Sequence, residues 1–256
     1  MSRLATAQPT ARTRQKRRRS PGWVPNQHGA WAMLTAPFLV GVLSSEPRWV
    51  HLPLAAFWAV GYFAFFASGL WLKSHRRARY LPPVGAYAAA SLLLGGLVLA
   101  LRPDLVLWAP LLVPPLAVGL VASARRQDRA LVSGLATTVG SCLMVLVAHD
   151  AGGGTDWRWA WLLAAVLAAY FCGTVFYVKT LIRERGSEPH YWLSVAFHGM
   201  ATLTMIPAGG ALTAVFALLT VRAAIVPAFP VTPKRAGIGE IVATLAVAAA
   251  ALATTV

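Results

Sequence analysis

The sequence predicts an all-α integral membrane protein, a bundle of about nine transmembrane helices built from a duplicated helical unit. Three observations carry this reading. The 256-residue chain is 57% hydrophobic and only 12% charged, whereas a soluble domain carries about twice that charge. Apolar runs of about 18–22 residues recur along it without β-barrel alternation, and a helix satisfies its own backbone hydrogen bonds in lipid. The spacing Lys-x3-Arg-x-Arg occurs twice, at Lys73, Arg77 and Arg79 and again at Lys179, Arg183 and Arg185, each time behind a long apolar run.

In chain order, residues 1–25 form a basic, Pro-containing tail with Arg12, Arg14, Lys16, Arg17, Arg18 and Arg19. It lacks apolar periodicity and is expected to be disordered. Residues 26–256 form a single transmembrane domain. Its apolar segments fall at 27–44, 50–72, 81–101, 105–122, 130–149, 157–178, 190–207, 210–228 and 238–255. The connections are short and carry Pro, Gly or charge, so none holds a soluble domain. No secretory cleavage pattern follows the first helix, which is therefore read as part of the mature protein. Cys142 and Cys172 fall inside predicted helices without metal-ligand spacing and read as small apolar fillers. Gly152–Gly154 reads as a flexible turn.

The formal net charge is +15, but the basic residues sit at the ends of apolar runs, which points to membrane lipids as partners rather than nucleic acid. Of the 23 Lys and Arg, only Arg48, Arg102 and Arg158 fall on the opposite side, and Arg222 lies within a segment. The positive-inside rule then places the N-terminus in the cytoplasm, and an odd helix count places the C-terminus outside.

Candidate functional residues follow from position. Asn26, Gln27 and His28 stand where the tail enters the first helix; Asn26 suits an N-cap, and His28 is expected to line a functional mouth. Lys73 with Arg77, and Lys179 with Arg183, share a helix face at i and i+4 and offer phosphate or another anionic head group bidentate contacts. His198 lies roughly 12 Å into its helix, counted from His190. Arg222 needs a partner inside the membrane, where an arginine costs about 2.5–3.5 kcal/mol even on lenient scales. Glu240 is the acid nearest in depth. Asp128, the one acid of its loop, reads as a partner for the neighbouring Arg125, Arg126 and Arg129.

The block Asn-Gln-His-Gly-Ala-Trp and its continuation over Asn26–Gly41, the Lys73–Tyr80 loop and Tyr177–Gly186 together resemble the YwiC-like family of bacterial membrane proteins. That resemblance covers nearly all of the chain after the tail and implies no particular reaction. More distantly, nine helices with polar cytoplasmic loops after helices 2 and 6 resemble the UbiA superfamily of intramembrane prenyltransferases. This implies Asp-rich motifs on those two loops, Mg²⁺ on their carboxylates, and an isoprenoid diphosphate whose tail lies between helices. The sequence departs from that pattern. No acidic residue occurs from Ser68 to Tyr80, and the second loop offers only Glu184 and Glu188.

Three functions fit these residues. One is binding of an anionic isoprenoid or phospholipid through Asn26, Gln27, His28, Lys73, Arg77, Lys179, Arg183, His198 and Arg222, with no metal or cofactor. The second is a divergent prenyl or lipid transferase, with Mg²⁺ on Glu184 and Glu188 and with His28 or His198 as general base. The third is organic-anion transport, with His198 and Arg222 at mid-path and His149 and Asp150 towards the outer face.

Overall fold

The computed structural model describes residues 22–25 and 28–254, with side chains from Ala30 onward within the first helix. Among the described residues ten α-helices carry the fold and there is no strand. They are α1 (His28–Leu43), α2 (His51–Lys73), α3 (Leu81–Leu101), α4 (Ala109–Ala124), α5 (Leu131–Cys142), α6 (Met144–Ala151), α7 (Trp157–Ile182), α8 (Glu188–Met205), α9 (Gly210–Ile225) and α10 (Pro233–Leu252). The all-helical, multi-pass character read from the sequence is thus present. Asn26, Gln27 and the side chain of His28 lie outside the described residues, as does the tail before Gly22.

Among the described residues, seven stretches are long and apolar enough to cross a membrane. The sequence segments at 27–44 and 190–207 fall short of that measure. The apolar part of α1 spans only Ala30–Leu43, and α8 carries Glu188, His190, His198, Thr202 and Thr204 within 18 residues. The segment at 130–149 is one span, Leu131–Ala151, divided at Leu143 into α5 and α6.

Capping explains where the observed ends depart from the apolar pattern. Helix α10 begins at Pro233 rather than near 238 because Thr232 accepts a hydrogen bond from Arg235 N at 3.3 Å, with Pro in the first turn. Asp156 likewise caps α7 by accepting from Trp159 N at 3.0 Å. At its other end α7 continues to Ile182, so Lys179 is helical and Arg183 is the C-cap. Helix α8 starts two residues early, with Glu188 in its first turn, where the helix dipole favours a carboxylate.

The centre of the bundle is Leu131–Ala151 and α7, whose apolar windows are 50% and 61% buried; the span containing α3 is 6% buried and faces outward. Leu92 and Leu93, each 77% exposed, suit lipid rather than water. Helix α2 packs on α3 and α4, α4 on α5, α5 on α7, and α7 on α8 and α10, while α1 closes the circuit between α10 and α6. The core includes Phe171, Phe216, Leu146, Leu163 and Leu167. Cys142 and Cys172 are both free and buried there, as their reading as apolar fillers requires.

Gly41 permits a close helix approach. A Cβ there would press into the carbonyl of Val145 and stand 2.7 Å from the Ala148 Cβ, so α1 and α6 meet backbone to backbone. Small residues at helix contacts provide dispersion contact that replaces the absent hydrophobic drive in lipid.

Hydrogen bonds fasten the helix ends opposite the Lys73 loop. Ser44 Oγ lies 2.9 Å from His149 Nδ1, and His51 Nε2 lies 2.9 Å from the Ala148 carbonyl. Arg102 donates to the Ala151 carbonyl at 2.8 Å and to Asp150 at 3.2 Å, while Trp108 Nε1 donates to Asp150 at 2.7 Å. The Asp104 side chain, bonded to Arg102, leads in raising that guanidinium's pKa. Gly153, at φ +76°, sits in a turn closed by its N–H on the Asp150 carbonyl, so the triple-glycine stretch is a hydrogen-bonded corner of this clasp. His149 and Asp150 are engaged in holding these loops together.

Candidate functional site

The polar residues buried in the second half of the chain converge between α7, α8, α9 and α10. Helix α7 presents Tyr170, Thr174 and Tyr177, spaced i, i+4 and i+7 and therefore on one face. Against them α10 places Glu240 and, one turn on, Thr244. Glu240 Oε2 accepts from Thr174 Oγ1 at 2.7 Å and lies 3.1 Å from the Tyr170 hydroxyl. The Tyr170 hydroxyl is also 3.0 Å from Thr244 Oγ1. Glu240 Oε1 stands 2.7 Å from Arg222 Nη1 of α9, and these side chains are 13% and 19% exposed, so the pair is largely desolvated. The interhelical partner expected for Arg222 is therefore Glu240. The guanidinium also lies over the Tyr177 ring, 4.2 Å from its centre, a cation–π contact strengthened by desolvation.

His198 of α8 is buried and stands beside this pair. Its Nδ1 lies 2.7 Å from the Ser194 carbonyl. A carbonyl only accepts, so Nδ1 carries a proton, and the other ring nitrogen turns towards α7. There Gly173 makes room: a Cβ at that position would come within 2.9 Å of His198 Nε2. His190, Ser194, His198 and Thr202 repeat every four residues and form a polar stripe along α8. Thr202 Oγ1 continues it to Thr220 of α9 at 2.9 Å. Depth along the sequence singles out His198, Arg222 and Glu240 but not Tyr170, Thr174, Ser194 and Thr244, and Tyr177 enters it only as the start of the second basic stretch. Their signal was the polar face at helical spacing within otherwise apolar runs.

The two basic loops prove different in construction. Lys73 ends α2 and donates to both carboxylate oxygens of Asp128 at 2.8 Å. Asp128 thus serves the α2 terminus rather than the arginines of its own loop. Arg126 reaches back to the Lys73 carbonyl at 3.3 Å and contacts the His75 ring. His75, Arg76 and Arg126 hold φ near +60°, a left-handed backbone that costs about 1–3 kcal/mol at a non-glycine residue and persists only where its surroundings impose it. Arg77 is exposed. At the second loop Lys179 is half-buried in the last turn of α7, Arg183 is exposed, Glu184 is half-buried and Glu188 is exposed. Among the described residues no ion pair engages Lys179 or Arg183. The α4–α5 pair stands between the two loops.

The magnesium site implied by the UbiA resemblance does not fit these residues. Among the described residues no group of three or more His, Cys, Asp or Glu side chains could hold a metal ion, and Mg²⁺ bound to protein wants several oxygen ligands.

Hydrophobic spans, lipid-facing leucines and interior ion pairing define a multi-pass membrane protein. The chain belongs to the YwiC-like family: residues 24–149, which run from the segment before α1 into the last turn of α6, match the family model for YwiC-like proteins. It is 31% identical to the YwiC protein of Bacillus subtilis over 175 residues, covering 68% of this chain and 73% of that one. A protein of Haemophilus influenzae is 26% identical over 184 residues, 72% of this chain and 77% of its own length. No solved structure matches the chain. The α7–α10 cluster lies beyond the residues that the family model covers.

Proposed function

We propose that this protein crosses the bacterial plasma membrane nine times, with its N-terminus cytoplasmic and C-terminus outside, and binds an anionic amphiphile at its cytoplasmic face. The ligand class is an isoprenoid or phospholipid head group, and the binding residues are Lys179 and Arg183 at the end of α7. The observation that carries this is the asymmetry between the loops. Lys73 is neutralised by Asp128 at 2.8 Å, while Lys179 and Arg183 have no acidic partner among the described residues. Two adjacent unpaired cations at the membrane surface attract anionic lipid by about 1 kcal/mol each. Arg77 belongs to the Lys73 loop and contributes less under this reading.

Native mass spectrometry of the detergent-purified protein tests this. The wild type is expected to carry an anionic lipid, and Lys179→Gln/Arg183→Gln to retain about tenfold less, a change of about 1.4 kcal/mol. Lys73→Gln is expected to retain it within about twofold, an effect well below that of the pair. Equal retention by the wild type and the Lys179/Arg183 variant would return both loops to a purely topological role.

A further inference from the structure

Glu240 Oε2 accepts from Thr174 and Tyr170, while its Oε1 is ion-paired to Arg222 Nη1 at 2.7 Å without hydrogen-bond geometry. Two further nitrogens of the same guanidinium, Nε and Nη2, are buried without any hydrogen-bond partner. These two N–H groups share one edge and point in parallel. That edge is the fork with which arginine grips a carboxylate or phosphate through two bonds at once. Buried donors in folded proteins are almost always satisfied, and a bilayer interior supplies no bulk water to do it. Besides Glu240 Oε1, the same interior holds Ser194 Oγ and His190 Nε2 without partners, both on the α8 stripe that carries His198.

We propose that the free edge of Arg222 is an oxyanion-binding site inside the α7–α10 bundle, taking the carboxylate or phosphate of a ligand that enters from the Lys179 end. The Tyr177 ring fixes the guanidinium plane from one side, and Glu240 fixes its far nitrogen, so the fork is held in one orientation. A hydrogen-bonding acceptor satisfies both buried donors without displacing Glu240. In the conformation described here the edge is covered, so the ligand reaches it by a local opening between α9 and α7. This site is separate from the surface binding proposed above and does not depend on it.

Thermal unfolding of the full-length purified protein, followed by tryptophan fluorescence, tests the site with three probes: dodecyl phosphate, dodecanoate and inorganic phosphate. The wild type is expected to be stabilised saturably by at least one of them. Stabilisation by dodecyl phosphate or dodecanoate alone assigns an amphiphile, and stabilisation by inorganic phosphate as well assigns the free ion. Arg222→Lys keeps a cation for Glu240 but lacks the fork, and its apparent affinity is expected to fall at least about tenfold. Should Arg222→Lys fail to fold, Tyr177→Leu takes its place, since it removes the ring that orients the guanidinium and leaves the ion pair intact; the same loss is expected. Lys179→Gln/Arg183→Gln separates the two sites, because it is expected to lose lipid retention yet keep the saturable shift. No saturable stabilisation of the wild type by any probe overturns the site. So does an unchanged affinity in Arg222→Lys, or a shift that survives that substitution and vanishes in the Lys179/Arg183 variant.

Discussion

Glu240→Leu is expected to be among the most damaging single substitutions in the protein, lowering stability by about 3–5 kcal/mol, because it strands a buried guanidinium. Arginine cannot shed its proton, so the charge has no escape. It also removes the acceptor that Thr174 and Tyr170 share. Arg222→Leu is expected to cost less, since the Glu240 left behind keeps its Thr174 and Tyr170 hydroxyl partners. The double variant Arg222→Leu/Glu240→Leu is expected to be more stable than either single variant, since no unpaired charge then remains in the membrane. Unfolding in sodium dodecyl sulfate–detergent mixtures, run on all four proteins, measures this cycle. Additive losses in the double variant would mean that the 2.7 Å contact does not couple the two side chains.

Gly41→Val carries the second large effect, a loss of about 3 kcal/mol from overpacking a contact that cannot relax. The atoms in the way are the Val145 carbonyl and the Ala148 Cβ of α6, so relief requires moving a whole helix at the most buried part of the bundle. Gly85→Ala in α3 is the matched control. A Cβ there meets nothing within 4 Å, and replacing a helical glycine by alanine is expected to gain about 0.5–1 kcal/mol. The same unfolding assay compares them. A neutral Gly41→Val would show that α1 is not seated on α6 as described.

Much of this architecture is legible in the chain because a bilayer imposes a simple rule, that backbone polar groups be satisfied within each segment. Segments 50–72 and 81–101 come within a residue of α2 and α3, since their apolar runs end at Lys73 and Arg102. Hydropathy fails where capping decides, as at Thr232–Pro233, and where a helix is stabilised by polar neighbours, as in α8. The ion pair of Arg222 with Glu240 follows from depth alone, because a charge in the membrane must find its opposite. What depth cannot supply is azimuth, the side of the helix that faces a neighbour. Azimuth is what brings Tyr170, Thr174 and Ser194 to this interior, and what turns Asp128 to Lys73, 55 positions away, rather than to the arginines beside it. Repeated spacing is likewise blind to local chemistry, for it makes the two basic loops look alike, while only the lysine of the first is neutralised, by Asp128 from the α4–α5 connection.

The placement of both basic loops on one cytoplasmic face underlies the whole account, and cysteine accessibility tests it most directly. Cys142 and Cys172 are 1% and 9% exposed, so they give little background with a membrane-impermeant maleimide. Single cysteines would be introduced by Ser74→Cys and Ser187→Cys in the two basic loops and by Glu46→Cys and Thr155→Cys at the other helix ends. In intact bacterial cells the account predicts labelling at 46 and 155 alone, with 74 and 187 labelled only after permeabilisation. Labelling of Ser187→Cys in intact cells, or opposite behaviour of positions 74 and 187, would contradict it.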